Sequence, residues 1–488
     1  MPVRLIDHSP TPDLKVATAA LTSITGSPPS DIYFHLVKNG MWEDDSRKLI
    51  DVLNSGHLDI LEHVTFTFSL NDISRLASFL LVRHRIPTFT QVSQRYTPVN
   101  ESSIVTPESI ERNERAEELF DEFIGECFKF YNDAVEAGQE REDARYGLPI
   151  AVRTHMMFSA NLRELLHIIS SNIQFVPKEL ADISQSMLSC IREKAPLCAR
   201  LYEGTKDTAL FGEYWERQSL RDANRFSSRM LFEGSETQRK ARKKEKRRDG
   251  VTILQCSYNP VELISRRVVE GKTGGHAGSL PYNDCSRIIK ELKETSNFPR
   301  EFEYAHVTFA YGESLASAHQ DIRHRMRTMT VQPFDSIMER GEVVIPPSFK
   351  GEIFEDRLGD LRTLSGHTYR SLLKEGIPIH DASYVILNAA KAHIISDFDF
   401  RNLCKAFALR CCLRAQWEIR DIYDAMLREM IRIAPLIFRD AGPGCRRSSG
   451  CPEGMLMCNT PRGKYFLQEI YMEKYPDTPL TKKLRGKV

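Results

Sequence analysis

The sequence predicts an α+β fold that is built twice along one chain. Three observations carry this prediction: a repeat at a spacing of 240 residues, short runs in which apolar and polar residues alternate, and long stretches with helical periodicity. A duplicated unit changes the interpretation of every other segment, so the repeat has priority.

The repeat is anchored by the tripeptide Arg-His-Arg, which occurs at residues 83–85 and again 240 residues later at residues 323–325. The run HVTF precedes both copies, at residues 63–66 and 306–309. Downstream, a pattern of Asp-Ile, Met-Leu and Ala-Pro-Leu spans residues 182–197 and recurs at residues 421–436, an offset of 239. Three anchors in one order at nearly one spacing predict a tandem duplication.

The individual elements follow from periodicity. Residues 64–70, VTFTFSL, alternate with a period of two and predict a half-buried strand, whereas residues 73–82, ISRLASFLLV, predict a helix that runs into the first Arg-His-Arg. Residues 111–138 predict a long amphipathic helix ended by glycine, and residues 400–441 of the second copy are almost continuously helical in pattern. We expect the long helices to pack together in a core that also includes the strands.

Length and composition set the class of protein. At roughly 150 residues per domain, the 488 residues predict about two to four domains. Hydrophobic residues make up 41% and charged residues 27%, with 67 Lys and Arg against 66 Asp and Glu, which argues against bulk disorder and a generally basic nucleic-acid binder. Eleven cysteines without framework spacing predict reduced thiols. No apolar run approaches about 18 residues and the first residues lack a signal-peptide core, so we expect a soluble cytoplasmic protein without a membrane span.

A polar run dense in Lys and Arg, GSETQRKARKKEKRRDG at residues 234–250, lies between the copies. Clustered cations could contact nucleic acid. A solvated linker is the favoured interpretation, because the chain has almost no net charge and no aromatic residue interrupts the run. The predicted organisation is copy one at residues 1–232, a basic linker at 233–250, and copy two at 251–488 with a cysteine-bearing tail.

The first Arg-His-Arg opens the segment RHRIPTFTQVSQRY, residues 83–96. Arginines supply planar forks of donors that match phosphate oxygens, so several in one segment indicate an anionic ligand with more than one phosphate. For the tripeptide alone, a salt-bridged surface turn is the alternative.

Arg-His-Arg followed by seven residues and Ser93 resembles the signature of the flavin-dependent thymidylate synthases, the ThyX family. The likeness extends to both sides and to the end of the second copy, where RCCLRAQWEIR at residues 410–420 resembles the family's closing signature. The other matching groups are Gly56-His57, Glu62-His63, Arg95-Tyr96, Ala144-Arg145, Leu148-Pro149 and Asn161-Leu162-Arg163. The two copies together carry this resemblance over most of the chain.

The resemblance implies two tandem α+β domains, each with long helices packed with a small mixed or antiparallel sheet. It also implies conversion of dUMP to dTMP, with methylenetetrahydrofolate as carbon donor, FAD as cofactor and NADPH as reductant. The family works as a homotetramer with sites at subunit interfaces. Since flavin and folate supply the organic chemistry, the protein must hold ligands, place charge and exclude water.

Each copy departs from the family pattern in a different place. The first copy keeps the nucleotide loop and its arginine, namely Gln91, Ser93, Gln94, Arg95 and Arg145. It has Leu80 where the family has glutamine, and the position of the uracil-contacting arginine falls near Asn172. The second copy keeps Gln320, Arg323 and Arg410, but Pro333, Asp335 and Ser383 replace the loop serine and both phosphate-binding arginines.

Complementary loss predicts a composite site, because duplication leaves one interface under selection and lets the reciprocal one decay. We expect Ser93, Arg95 and Arg145 to face Gln320 and Arg410, and two chains to form a pseudo-tetramer with one working site per chain. Whether one site is completed within a chain or between two chains stays open. The alternative is that the second copy is purely architectural.

By this resemblance, Arg410 is the candidate catalytic residue: a guanidinium against the uracil N3/O2 edge would favour the ionised base. The alternatives are an intrahelical ion pair with Glu418 or an exposed charge. Ser93 is assigned to phosphate binding or orientation rather than to nucleophilic attack, since no histidine base lies at a recognisable spacing.

The resemblance also implies the flavin candidates. In the first copy they are His57, Arg83, His84, Arg85, Asn161, Arg163 and His167, and in the second copy Arg323, His324, Arg325, Arg401 and Lys405. His57 could instead be a helix C-terminal residue stabilised by the dipole. The counterpart of Glu62 is expected at Ala305.

The remaining cysteines predict no metal site. Cys445, Cys451 and Cys458 lack a CxxC pair and a clear fourth ligand, and Cys411 and Cys412 are expected to be packing residues in the Arg410 helix. The leading prediction is therefore a catalytically competent enzyme. The rivals are a non-catalytic flavin- or nucleotide-binding derivative and, less favoured, an RNA-associated protein that uses the basic run.

Overall fold

The computed structural model describes residues 2–41, 43–171, 177–205, 250–446, 451–452 and 458. Contacts between Cα atoms divide the chain into two compact units, Met1–Gly234 with Pro333–Ala390, and Ser235–Gln332 with Lys391–Val488. The unit built around the first copy therefore includes a segment of the second copy, Pro333–Ala390. The basic run, residues 234–250, lies outside the described residues apart from its last residue, Gly250.

Each unit contains a four-stranded antiparallel sheet, and the two sheets have the same topology. The first has the order β1-β2-β4-β3, with β1 Val3–His8, β2 Thr65–Ser74, β3 Thr88–Gln91 and β4 Arg153–Asn161. The second has the order β5-β6-β8-β7, with β5 Val251–Cys256, β6 His306–Ser314, β7 Thr328–Val331 and β8 Lys391–Asp399. The predicted α+β class with two small sheets is confirmed.

Helices flank both sheets. Those preceding the basic run are Pro12–Thr25, Pro29–Asn39, Glu43–Asn54, Arg75–Leu81, Glu108–Glu111, Glu114–Glu136, Arg141–Ala144, Leu162–Ser171, Lys178–Lys194 and Pro196–Thr205. Those following it are Pro260–Thr273, Tyr282–Thr295, Leu315–Asp321, Phe334–Arg340, Ile353–Lys374, Ile379–Ala382, Phe400–Arg410, Trp417–Ile433 and Pro435–Phe438. No helix among the described residues is both long and apolar enough to cross a lipid bilayer.

The strand register corrects one anchor of the repeat. Asn161 and Asp399 are the last residues of the equivalent strands β4 and β8. Thr65 pairs with Asn161 in the first sheet, and His306 pairs with Asp399 in the second, so Thr65 is equivalent to His306. The two HVTF runs are therefore offset by two residues. A shift of two keeps every side chain on its own face of a sheet, so alternation alone could not reveal it. The counterpart of Glu62 is Glu303, and the expectation of Ala305 was wrong.

Two helix predictions needed different boundaries. Strand β2 continues to Ser74, whose hydroxyl accepts a hydrogen bond from Ala77 N and caps the helix Arg75–Leu81, so the helix does not begin at residue 73. Residues 400–441 form three helices instead of one continuous helix. The Gln416 side chain accepts from Ile419 N at 3.2 Å and begins the second of these helices.

Within the first unit the two copies meet through reciprocal contacts. Ile150 N donates to Ile386 O at 2.8 Å, and Asn388 N donates to Leu148 O at 2.8 Å. The side chains of Ser109 and Ser348 donate to Asp381 and Asp143, respectively, both at 2.6 Å. Since each contact of one copy is returned by the other, this pairing has the isologous form of a two-fold homodimer.

A helix pair strengthens this pairing. The helices Glu114–Glu136 and Ile353–Lys374 bring the ring of Phe130 within 5.7 Å of Phe349 and 5.8 Å of Phe354, measured between ring centroids. All three rings are buried. Arg357 spans the edge of this cluster and donates to Asp133 at 2.7 Å. The core of the first unit is thus built from both copies.

Candidate functional site

The loop after β3 carries the candidate phosphate ligands of the first copy. Gln91, the last residue of β3, donates from Nε2 to Ser78 Oγ at 2.8 Å. Ser93 Oγ accepts from Arg95 N at 3.2 Å and so stabilises the turn that follows. Gln94 is only 5% exposed, and its Nε2 has no hydrogen-bond partner among the described residues. A buried donor of this kind is costly unless an acceptor completes it.

Arg95 and Arg145 converge on one residue, Glu142. Arg95 Nε donates to Glu142 Oε2 at 2.5 Å, and Arg145 Nε donates to Glu142 O at 3.1 Å. Arg145 is 3% exposed, whereas the side chains of Arg95 and Glu142 are each 19% exposed. The loop and the arginine predicted from distant parts of the first copy therefore lie together.

Asn388 of the second copy completes this group. Its Nδ2 donates to Arg145 O at 3.0 Å and, more weakly, to Gln94 Oε1 at 3.5 Å. Asn388 is 3% exposed, so its amide is fixed between the two residues. Sequence reasoning missed it because the family pattern gave no reason to place this segment beside the first-copy loop.

The equivalent segment of the second copy has a different structure. Pro333, which replaces Ser93, precedes the helix Phe334–Arg340, and Asp335 lies in its first turn. A helix in place of an open loop removes the backbone conformation that the first copy presents.

The flavin candidates of the first copy cluster at the start of the helix Leu162–Ser171. His84 Nδ1 lies 3.5 Å from Glu164 Oε1, and its ring centroid is 5.6 Å from that of His167. Arg163 donates to Glu62 at 2.6 Å. Asn161 caps the helix by accepting from Glu164 N at 2.9 Å, so it has a structural role beside any role in binding. Arg83 and Arg85 flank His84 in the loop before β3.

A cavity of about 1270 Å³ adjoins His57. Its walls come from the helices Pro12–Thr25, Pro29–Asn39 and Glu43–Asn54 and from the 3₁₀ turn Leu58–His63. The lining is mainly apolar, and its charged groups are of both signs: Lys15, Lys48, Asp51 and Asp59. Small-molecule sites usually measure about 300–1,000 Å³, and this cavity is larger. Of this lining, sequence reasoning named His57 as a flavin candidate and His63 as a matching residue, because most of the other residues are dispersed over three helices.

In the second unit Arg410 ends the helix Phe400–Arg410. Its Nε donates to His324 Nε2 at 2.7 Å, and its Nη2 donates to Gln320 O at 2.8 Å. Burial lowers the pKa of the Arg410 guanidinium, and burial together with Arg410 lowers the pKa of Arg323. Gln320, Arg323, His324 and Arg410 are thus brought together as one group.

The intrahelical ion pair considered for Arg410 and Glu418 is wrong, since a break at residues 411–416 puts the two residues on different helices. Glu418 instead accepts from the backbone N and the hydroxyl of Ser314. Glu179 binds Ser74 in the same way in the first unit. Cys411 is buried just after the helix end, and Cys412 is half-buried.

Arg401 repeats the pairing of Arg163. It donates to Glu303 Oε1 at 2.5 Å and to Phe298 O at 3.0 Å. Lys405 lies one turn further along the same helix. Arg325 follows His324 in the loop before β7.

The model of the family described as thymidylate synthase complementing protein matches residues 4–197 and 235–436, one segment in each copy. The chain belongs to this family. The double match agrees with the repeated sheet topology and establishes the tandem arrangement.

Curated relatives named flavin-dependent thymidylate synthase each match a stretch of this chain that is about as long as one copy. The protein of Geobacter sulfurreducens is 40% identical over 165 residues, which cover 32% of this chain and 69% of the relative. That of Pyrococcus furiosus is 34% identical over 191 residues, covering 38% and 77%. A crystal structure of the UMP/dUMP methylase PolB from Streptomyces cacaoi, bound with 5-Br dUMP, is 21% identical, with a TM-score of 0.35 and coverage of 41% of this chain and 94% of that one.

Some expected features of this family member fall outside the described residues. They are Asn172, the basic run and most of the cysteine-bearing tail. The described part of the chain holds no group of three or more His, Cys, Asp or Glu side chains that could bind a metal ion.

Proposed function

We propose that the chain is a flavin-dependent thymidylate synthase that converts dUMP to dTMP at a composite site. The first copy supplies the phosphate-binding group and the second copy supplies Arg410. The observation that carries the proposal is that each copy retains a different part of the family's binding residues. The converging Arg95 and Arg145 have no equivalents in the helix Phe334–Arg340 and at Ser383, whereas Arg410 is held in the second unit by Gln320 and His324.

The phosphate group of dUMP suits the first-copy group. Arg95 contacts the carboxylate of Glu142 and Arg145 contacts its backbone carbonyl, so two guanidinium groups lie together where a phosphate dianion can accept hydrogen bonds. The buried Nε2 of Gln94 offers a donor that a phosphate oxygen can complete. Asn388 holds the backbone of Arg145 and so fixes the site from the second copy.

The uracil base is assigned to Arg410. A guanidinium stays protonated even where burial lowers its pKa, so it can stabilise negative charge that develops on the N3/O2 edge. The ring carbon then becomes the more electron-rich nucleophile for the one-carbon unit. Arg410 itself neither gains nor loses a proton in this step.

The flavin is assigned to the cavity beside His57 and to the cluster of Arg83, His84, Arg85, Arg163 and His167. The cavity's volume of about 1270 Å³ supports a ligand as large as a dinucleotide, and the arginines of the cluster suit its phosphates. Bound FAD would supply the hydride, with NADPH as its reductant and methylenetetrahydrofolate as carbon donor. The chain's own residues would hold the ring, neutralise the phosphates and exclude water.

We further propose that two chains form a homodimer that acts as a pseudo-tetramer. The isologous contacts between the copies in the first unit support this proposal, because they have the form of a contact between two identical subunits. The alternative is a non-catalytic flavin- or nucleotide-binding derivative, which is favoured by Leu80 in place of the family's glutamine in the first copy.

The test measures bound flavin by absorbance and tritium release from 5-tritiated dUMP, with methylenetetrahydrofolate and NADPH present. We expect flavin and turnover in the purified chain, and loss of turnover in Arg410→Ala. Arg432→Ala is the matched control, since the Arg432 side chain is 52% exposed and pairs with Glu429. Retained turnover in Arg410→Ala would contradict the role of the second copy, and flavin without turnover in the unaltered chain would support the non-catalytic alternative.

A further inference from the structure

We infer that His324 is a positioning residue for Arg410, held in place by a buried ion pair between Asp321 and Arg327, and that the second Arg-His-Arg serves this purpose instead of binding flavin. The inference rests on the proposed function, since it assigns Arg410 to the uracil base. It concerns residues of the second unit alone.

The contact between Arg410 and His324 fixes the state of the histidine. Arginine has donors and no acceptor, so the 2.7 Å hydrogen bond from Arg410 Nε requires a lone pair on His324 Nε2. The imidazole must therefore be neutral, with its proton on Nδ1. Burial, then Arg410 and Arg327, lower the pKa of His324 well below its usual range, which agrees with this state. A neutral acceptor can orient a guanidinium without competing for its charge.

The loop that carries His324 is closed by charged groups at both ends. Arg327 Nη2 lies 2.7 Å from the Asp321 carboxylate and donates to Asp321 O at 2.9 Å. The side chains of Asp321 and Arg327 are 0% and 1% exposed. Gln320, the neighbour of Asp321, accepts from Arg410 through its carbonyl. The ion pair thus fixes both acceptors of Arg410.

Two tyrosines surround this ion pair. Tyr311 and Tyr423 donate to Asp321 at 2.6 Å and 2.5 Å, and Arg327 Nη1 donates to their hydroxyls at 3.2 Å and 3.3 Å. The Tyr423 ring centroid is also 5.8 Å from that of His324. The cluster therefore supports the histidine from the side as well as through the loop.

The first copy has none of these groups at the equivalent positions. Leu81 and Pro87 stand where the second copy has Asp321 and Arg327. By strand register Leu70 corresponds to Tyr311, and by the repeat Ser184 corresponds to Tyr423. His84, the equivalent of His324, faces Glu164 instead of an arginine. The buried cluster thus occurs in the copy that keeps Arg410.

The test compares two substitutions at each histidine in the full-length protein. At His324, Met removes the acceptor at similar volume, whereas Gln places an amide oxygen near the position of Nε2. The same pair at His84 forms the matched control. Bound flavin, dUMP affinity by calorimetry, and kcat and KM are measured for all four variants, with circular dichroism to establish folding.

We expect His324→Met to bind flavin normally and to lose about tenfold to a hundredfold in kcat/KM for dUMP, the range for an orphaned hydrogen bond to a charged group. We expect a weaker dUMP affinity in the same variant. His324→Gln should recover most of both values. His84→Met should instead lose flavin.

Loss of flavin in His324→Met, or unchanged dUMP affinity and turnover in that variant, would overturn the inference. Equal damage by Met and Gln in folded protein would do the same, because it would indicate that packing matters and not the acceptor. Failure of the proposed function is distinguishable, since the unaltered chain itself would then show no turnover of dUMP.

Discussion

Replacing Asp321 with Asn removes one charge from the buried ion pair and leaves the other. Arg327 is 1% exposed in the folded protein, and the lost carboxylate lies 2.7 Å from its guanidinium. Breaking a buried pair in this way usually costs about 3–5 kcal/mol. Asn keeps one acceptor for Tyr311 or Tyr423, and the other hydroxyl faces an amide NH₂. We therefore expect a loss of roughly 3–5 kcal/mol in the free energy of unfolding.

Urea denaturation at pH 7 measures this loss as a lower midpoint at an unchanged slope. The control is Asp182→Asn, since Asp182 pairs with Lys178 at 2.8 Å but the two side chains are 58% and 61% exposed. That substitution should cost less than about 1 kcal/mol. The double substitution Asp321→Leu with Arg327→Met should regain much of the loss, because it leaves no unpaired charge.

The pH dependence gives a second readout. Burial alone would raise the pKa of Asp321, but Arg327 and the hydrogen-bonding tyrosines hold it far below its usual range. Stability from a depressed carboxyl pKa is complete above the unfolded value, about 3.9, and is lost as the pH falls through the folded value. The difference between the unaltered protein and Asp321→Asn should thus stay constant from pH 5 to pH 8 and shrink only in stronger acid. Equal losses in the Asp321 and Asp182 variants would refute the reasoning.

Two further substitutions test a buried carboxyl group in the second unit and the edge of the helix pair in the first. Glu313 is fully buried, and its Oε2 accepts a hydrogen bond from Ser317. Burial, and after it the nearby Asp321, raise the pKa of Glu313 well above its usual value, so the stability of the protein should fall as the pH rises above about 4.3. Glu313→Gln should remove that fall and raise the melting temperature at pH 8. A Gln variant that is less stable than the unaltered protein at pH 8 would contradict this. Arg357→Ala should cost about 1–2 kcal/mol in urea unfolding, because it removes a partly exposed ion pair with Asp133 and the stacking of the guanidinium on Phe130. An unchanged midpoint would mean that this edge of the helix pair contributes nothing.

The duplication was predictable because it depends on identity at a fixed spacing. Its exact register was not predictable. Thr65 and Thr308, which the sequence repeat aligns, lie on equivalent faces of the two sheets but two residues apart in register. The break after Arg410 was also invisible in the sequence. Residues 411–416 contain neither Gly nor Pro, and the new helix start depends on the side chain of Gln416, which also suits a helix interior.

The candidate site was likewise predictable from the sequence only in part. Arg95 and Arg145 were predicted to act together because the family pattern contains both, and their convergence on Glu142 followed only from coordinates. No pattern in the sequence indicated Asn388, because its role depends on the packing of Pro333–Ala390, a segment of the second copy, in the first unit. The charges of Asp321 and Arg327, six residues apart around the second Arg-His-Arg, were a signal that could have been found.

The stoichiometry of dUMP binding to the flavin-loaded protein tests the composite site most directly. Calorimetry should give one dUMP per chain, and both Arg145→Ala and Arg410→Ala should abolish that same single site. Two nucleotides per chain would contradict the account, as would one nucleotide whose affinity survives the loss of either arginine.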